Sequence, residues 1–195
     1  MKAIPTRERI LQAGLRTFSK EGFLGATTKE IAREADIAEV TLFRHFPSKE
    51  RLFEEVISTQ MFLPTLKGLL PEVSAMPFEE ALSVIARRFL ETLNLRKDIV
   101  KIMHTEMHRY PEKIHKIYHA FVDEVRETLA SYFREQQRKG VLREFDAALG
   151  ARAFFGMFLS YFNAEEFLLG KRYRVADAEV TIRHFVSIFA KGTMK

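Results

Sequence analysis

The sequence contains no cysteine, which excludes a disulfide framework, a thiolate metal site and a catalytic thiol. Long apolar runs are missing too, so nothing in it reads as a membrane span. The opening MKAIPTRER has no hydrophobic core of the kind a secretion signal needs. Neither a glycine-rich phosphate loop nor a nucleophile–base pattern occurs, leaving catalysis without support. Proline is scarce, and three of the six fall between residues 63 and 77. These absences point to a soluble, cytoplasmic, non-enzymatic protein with no cofactor and no membrane partner.

What is present is ordinary globular composition, 47% hydrophobic and 29% charged over 195 residues. That length supports one or two domains with cores of their own. The net charge of +5 suggests nucleic acid, but its distribution does not. Met1 to Leu66 holds 10 basic and 9 acidic side chains, so the positive excess lies elsewhere. Any DNA-binding surface must be found from local placement.

Apolar residues recur at three- and four-residue spacing along the whole chain, and the spacing predicts an all-α protein of about nine helices. A first helix covers Thr6 to Glu21, with Gly22 placed to end it. Thr27 and Glu30 form a capping box for a short second helix. A turn at Ala35-Asp36-Ile37 leads to a third, about Glu39 to His45. Pro47 stops that helix and Ser48 caps a fourth. Leu63 to Pro77, with its prolines and Gly68, reads as a linker of at most one helical turn. A fifth helix runs from Phe78 to about Leu95, a sixth from Asp98 to Pro111, and a long seventh to Gly140. Asp146 caps an eighth helix reaching about Gly170, and the ninth spans about Ala176 to Lys191.

Two short helices joined by a tight turn and braced by a third are the elements of a helix-turn-helix, here residues 27–46. Ile31, Ala32, Ala35, Ile37, Leu42 and Phe46 suit its inner face. Glu39, Val40, Thr41, Phe43, Arg44 and His45 are then available to enter a major groove. Thr28 and Lys49 begin the second and fourth helices, where free N–H groups favour phosphate, and Lys29 adds positive reach. Solvated charges on a small bundle would give the same spacing.

The run GFLGATTKEIAREADIAEVTLFRHFPSKERLFEEV resembles the N-terminal signature of the TetR family of transcriptional regulators, at Gly22-Phe23, Thr27-Thr28, Ile31-Ala32 and Thr41 to Glu50. The resemblance covers about the first third of the chain. It implies a DNA-binding domain over residues 1–62, with the fourth helix as connector, and a ligand-binding and dimerisation domain over 63–195. Glu106 to Glu112, with Leu142, Arg143 and Asp146, looks like one subgroup of such domains. Four positions depart from the signature: Ala38 replaces a serine cap, Val40 a small residue and Phe43 a tyrosine, while Glu39 puts a negative charge near the groove.

The predicted eighth helix leaves almost no polar face, so it must be buried on more than one side. Phe154, Phe155 and Tyr161, with Ile182, Phe185 and Phe189 of the ninth, are the expected homodimer interface, a four-helix contact about a two-fold axis. Phe89, Leu93, Met103, Glu106, Met107, Phe121, Phe158 and Phe162 are candidates to line a pocket for a small hydrophobic effector. His104/His108 and His115/His119 are each spaced for a shared helix face, but HTEMH is not a zinc-protease motif and no metal is assigned.

The function expected is that of a repressor, released from a palindromic double-stranded DNA operator by the effector. A helical ligand-binding or scaffold protein without operator recognition is the alternative, motivated by Glu39 and Val40.

Overall fold

The computed structural model describes residues 4–168 and 177–195. Among these residues the secondary structure is helical apart from one isolated bridge between Leu142 and Met194. The helices are α1 (Thr6–Gly25), α2 (Thr28–Glu34), α3 (Glu39–His45), α4 (Lys49–Gln60), α5 (Phe62–Val73), α6 (Phe78–Leu95), α7 (Lys97–Glu106), α8 (Glu112–Arg138), α9 (Ala147–Asn163) and α10 (Ala178–Thr193). The expected end of the eighth helix near Gly170 and start of the ninth at Ala176 lie outside the described residues.

The chain divides into two compact units, residues 1–61 with 96–121, and residues 62–95 with 122–195. In the first, α1, α4 and α7 enclose a core that includes Ile10, Phe18, Phe53, Val56, Ile99 and Met103. A boundary at 62–63 would leave residues 96–121 out of this unit. They belong to it because α7 presents Ile99 and Met103 to α1. Gly14 lets α1 and α4 approach closely, with Val56 Cγ2 only 3.2 Å from where a Cβ would stand.

The caps form as their residue types demand. Thr27 accepts from Glu30 N–H at 3.1 Å, and Ser48 from Arg51 N–H at 3.2 Å. Gly22 breaks α1 at φ 69°, ψ 178°. The turn after α2 is a Schellman motif: Asp36 N–H bonds Arg33 O at 3.1 Å and Ile37 N–H bonds Ala32 O at 3.0 Å. Asp36 takes the left-handed position at φ 54°, whereas Gly140 supplies a glycine for the same pattern after α8. Asp36→Gly should therefore raise stability, by about 0.5–1 kcal/mol, since L-residues pay to enter this region. Chemical denaturation measures it, and a loss of stability would show that the Asp36 side chain contributes more than its backbone costs.

In the second unit, α6, α9, α10 and the later turns of α8 surround an aromatic core. Phe154 packs on Phe158 at 5.1 Å and on Phe189 at 5.4 Å, and Phe89 on Phe155 at 4.8 Å. Arg87 of α6 forks onto both carboxylate oxygens of Glu179 on α10, at 2.7 and 2.8 Å.

The proline-rich segment predicted as a linker is instead the twelve-residue helix α5. Pro64 sits in its first turn, where no helical acceptor is needed, and Pro71 near its end. Phe62, Leu63, Leu66, Leu69 and Val73 are buried at helical spacing. Their burial outweighs the weak local propensity.

Candidate nucleic-acid interface

Only Leu42 of α3 is fully buried, which turns the rest of this seven-residue helix outward. Val40 is 61% and Phe43 44% exposed, both unusual for large apolar side chains. Arg44 and His45 are exposed and Thr41 is half-buried. Lys29 and Arg33 stand exposed on α2. The expected inner face is also present, with Ile31, Ala32, Ala35, Leu42 and Phe46 buried and Ile37 packed against them.

Ala38 gives α3 no side-chain cap. Glu39 compensates: its carboxylate lies in the first turn, where the helix dipole favours negative charge, and it accepts from the Thr28 hydroxyl at 2.6 Å. Both sequence expectations change with this bond. The Thr28 hydroxyl proton is engaged within the protein, and Glu39 is drawn toward α2 instead of standing as an isolated charge over the groove.

Lys49 changes more. Its ammonium donates to the backbone oxygens of Phe23 at 2.8 Å and Ala26 at 2.9 Å, and lies 4.5 Å from the Phe23 ring centroid. Burial lowers its pKa below the ordinary lysine value. Two of its three N–H bonds are thus used to bind α4 to the end of α1 and to Ala26 beyond it. Thr28, Phe43, Ser48 and Lys49 line one shallow concavity beside α3.

The break in α1 is gripped by residues that periodicity does not connect to it. Phe23 N–H donates to the Tyr110 hydroxyl at 3.1 Å across 87 positions of sequence. A Cβ on Gly22 would lie 2.6 Å from Glu106 Oε2. Glu106, a candidate for the effector pocket, is therefore engaged at the α1 break.

Of the other pocket candidates, Phe89, Leu93, Phe158 and Phe162 are buried in the second unit. Met103, Met107 and Phe121 belong to the first, Met103 buried and the others partly so. Four residues assigned to a dimer interface are buried within their own unit: Phe154, Phe155, Ile182 and Phe189. Phe185 is half-buried with its ring 5.6 Å from Phe158, and Tyr161 is also half-buried. The side chains that α9 and α10 leave outside include Leu149, 61% exposed, and Ile188, 65% exposed.

His115 and His119 stack at 6.5 Å between ring centroids. His104 and His108 are separated by the change to a 3-10 turn at Met107–Arg109. Among the described residues no three metal-ligating side chains stand together, and no helix is long and apolar enough to cross a membrane.

Comparison with known proteins adds a consistent set of similarities. Residues 10–56 match the model of bacterial regulatory proteins of the tetR family. Residues 80–191 match the C-terminal domain of AefR-like transcriptional repressors. The HTH-type transcriptional regulator YvkB of Bacillus subtilis (strain 168) is 30% identical over 188 residues, 96% of this chain and 97% of that protein. A TetR-family regulator structure from Mesorhizobium loti MAFF303099 superimposes with a TM-score of 0.78 at 23% identity, covering 97% of each chain. FadR of Bacillus subtilis, crystallised with stearoyl-CoA, gives 0.76 at 14% identity, over 95% of this chain and 98% of that one.

Proposed function

The chain belongs to the TetR family of bacterial regulatory proteins, and we propose that this DNA-binding transcriptional regulator represses from a palindromic operator and is released by a small apolar effector. The observation that carries the reading is α3, which buries only Leu42 and turns Val40, Phe43, Arg44 and His45 outward. A helix so presented fits a major groove, where Arg44 can address guanine and Val40 a thymine methyl. The bond between Thr28 and Glu39 removes the main motive for a scaffold without operator recognition, because the acidic side chain is already partnered.

Selection of bound genomic fragments from the chain's own source tests the DNA reading. We expect specific binding roughly a thousandfold or more above non-specific binding at physiological salt. Arg44→Ala should then change base preference at one operator position, by about 1–3 kcal/mol. An equal loss on every sequence would reduce Arg44 to a phosphate contact.

A homodimer places two reading helices one DNA turn apart, about 34 Å. The exposed apolar side chains Leu149 of α9 and Ile188 of α10 support a contact through these helices. Leu149→Asp with Ile188→Asp should give monomers in sedimentation and weaken operator binding at least tenfold, roughly the loss when half-sites act alone. A stable dimer of the double variant would place the contact elsewhere.

The effector reading rests on the buried aromatic side chains of the second unit, Phe89, Phe158 and Phe162 among them. Acyl-CoA thioesters head the panel to be tried, given the stearoyl-CoA complex of the similarly folded FadR. Release requires that effector bind the DNA-incompetent arrangement more tightly, since equal affinity for both shifts nothing. An effector that binds without changing operator affinity would refute the mechanism.

A further inference from the structure

The junction between α1 and α2 is clamped from two directions. On one side Lys49, the first residue of α4, binds Phe23 O and Ala26 O and covers the Phe23 ring. On the other, Tyr110 is buried, its hydroxyl accepts from Phe23 N–H, and its ring meets Phe23 edge-on at 6.0 Å. Glu106 Oε2 occupies the space beside Gly22 that any other residue would fill with a Cβ. Phe23 in turn packs on Phe53 of α4 at 5.2 Å. One residue of the junction therefore touches both the element that follows the reading helix and the turn that follows α7.

Gly22 makes this arrangement necessary. Its ψ of 178° turns the next N–H out of the helix ladder, and a buried N–H without an acceptor is costly. Tyr110 provides the acceptor.

We propose that Tyr110 is a positioning residue for DNA reading, acting through Phe23. Held by Tyr110, Phe23 fixes where α2 begins and, through Lys49, where α4 begins, so both ends of the helix-turn-helix are set. The reading of an operator rests on the function proposed above; the amide exchange that reports on the junction does not.

The test is Tyr110→Phe in the full-length protein, which keeps the ring and removes one oxygen. Tyr132→Phe, at a buried tyrosine of the second unit, is the control. Operator DNA recovered from the genomic selection and a scrambled fragment of equal length are titrated over a salt series, with amide exchange followed across residues 19–30. Loss of one hydrogen bond of ordinary strength should lower operator affinity about fivefold and speed exchange near Phe23 by a similar factor. Affinity for scrambled DNA and the salt slope should stay as they were, because no phosphate contact is lost. The control should change neither.

Equal weakening on both DNAs would mean a merely structural role and overturn the proposal. So would unchanged operator affinity or unchanged exchange. If the selection yields no operator, the operator reading fails, and exchange near Phe23 still decides whether Tyr110 sets the junction.

Discussion

Gly22→Ala is expected to destabilise this protein by about 1–3 kcal/mol, chiefly through its backbone. The backbone at φ 69°, ψ 178° lies in a region that is essentially reserved for glycine and costs other residues about 1–3 kcal/mol. The added methyl would also stand 2.6 Å from Glu106 Oε2 and 3.0 Å from the Tyr110 hydroxyl, but the carboxylate ends a flexible, half-buried side chain that can swing aside, so the backbone carries most of the effect. At about 2–4 °C per kcal/mol for a chain of this size, the thermal midpoint should fall by roughly 2–12 °C. Combining Gly22→Ala with Glu106→Ala separates the causes, since it relieves the crowding and leaves the backbone strain. A single variant within 1 kcal/mol of wild type would show that the α1 break is not built as described.

The second large effect is expected at Lys49. Lys49→Met keeps much of the side-chain volume but strips the Phe23 and Ala26 oxygens of their donor and the Phe23 ring of its cation. Hydrogen bonds to charged groups are worth about 1.5–3 kcal/mol and a cation over a ring about 0.5–2. We expect a loss of about 2–4 kcal/mol, in which part of the sum is recovered by water reaching the freed oxygens. Operator affinity should fall roughly five- to thirtyfold, because one or two kcal/mol of misplacement at the junction is carried to α3, each 1.4 kcal/mol being about tenfold. The distinguishing measurement is the salt slope. A phosphate-neutralising lysine would lower it by about 0.9 when removed; a lysine spent on internal carbonyls leaves it nearly unchanged. A lower slope with unaltered stability would restore the phosphate role.

These two residues show where sequence reading succeeds and where it stops. Gly22 is legible as a helix end, because a glycine after a periodic run is a local signal. That Glu106 fills the space beside it is not legible, since 84 positions separate them. Lys49 is recognisable as important from its place in the Thr41–Glu50 run, but the pattern cannot show which atoms its ammonium meets. The same division holds at Glu39. Its charge is visible in the sequence, and its bond to Thr28 exists only once α2 and α3 are folded together.

The second unit gives the converse case. Apolar content correctly marks α9 and α10 as helices that must be buried, yet it cannot say against what. Phe154, Phe155, Ile182 and Phe189 satisfy that need inside their own unit. The large apolar side chains these helices leave exposed include Leu149 and Ile188, which are no more hydrophobic than their buried neighbours. At α5 the local signals of two prolines and a glycine point away from helix, while the spacing of Phe62, Leu66, Leu69 and Val73 prevails through burial.

By itself, then, the sequence determined the helical class, most helix ends, the helix-turn-helix and the outward side of α3. All of these depend on interactions within a few residues: caps, periodicity and the conformational limits of glycine and proline. Tertiary structure decided how the elements are joined and what each polar group is used for. The Tyr110 grip on Phe23, the diversion of Lys49 to internal carbonyls, the pairing of Glu39 and the choice of exposed face on α9 and α10 all join residues distant in the chain. Such contacts form because buried polar groups need partners and apolar faces need cover, wherever in the chain the partner lies.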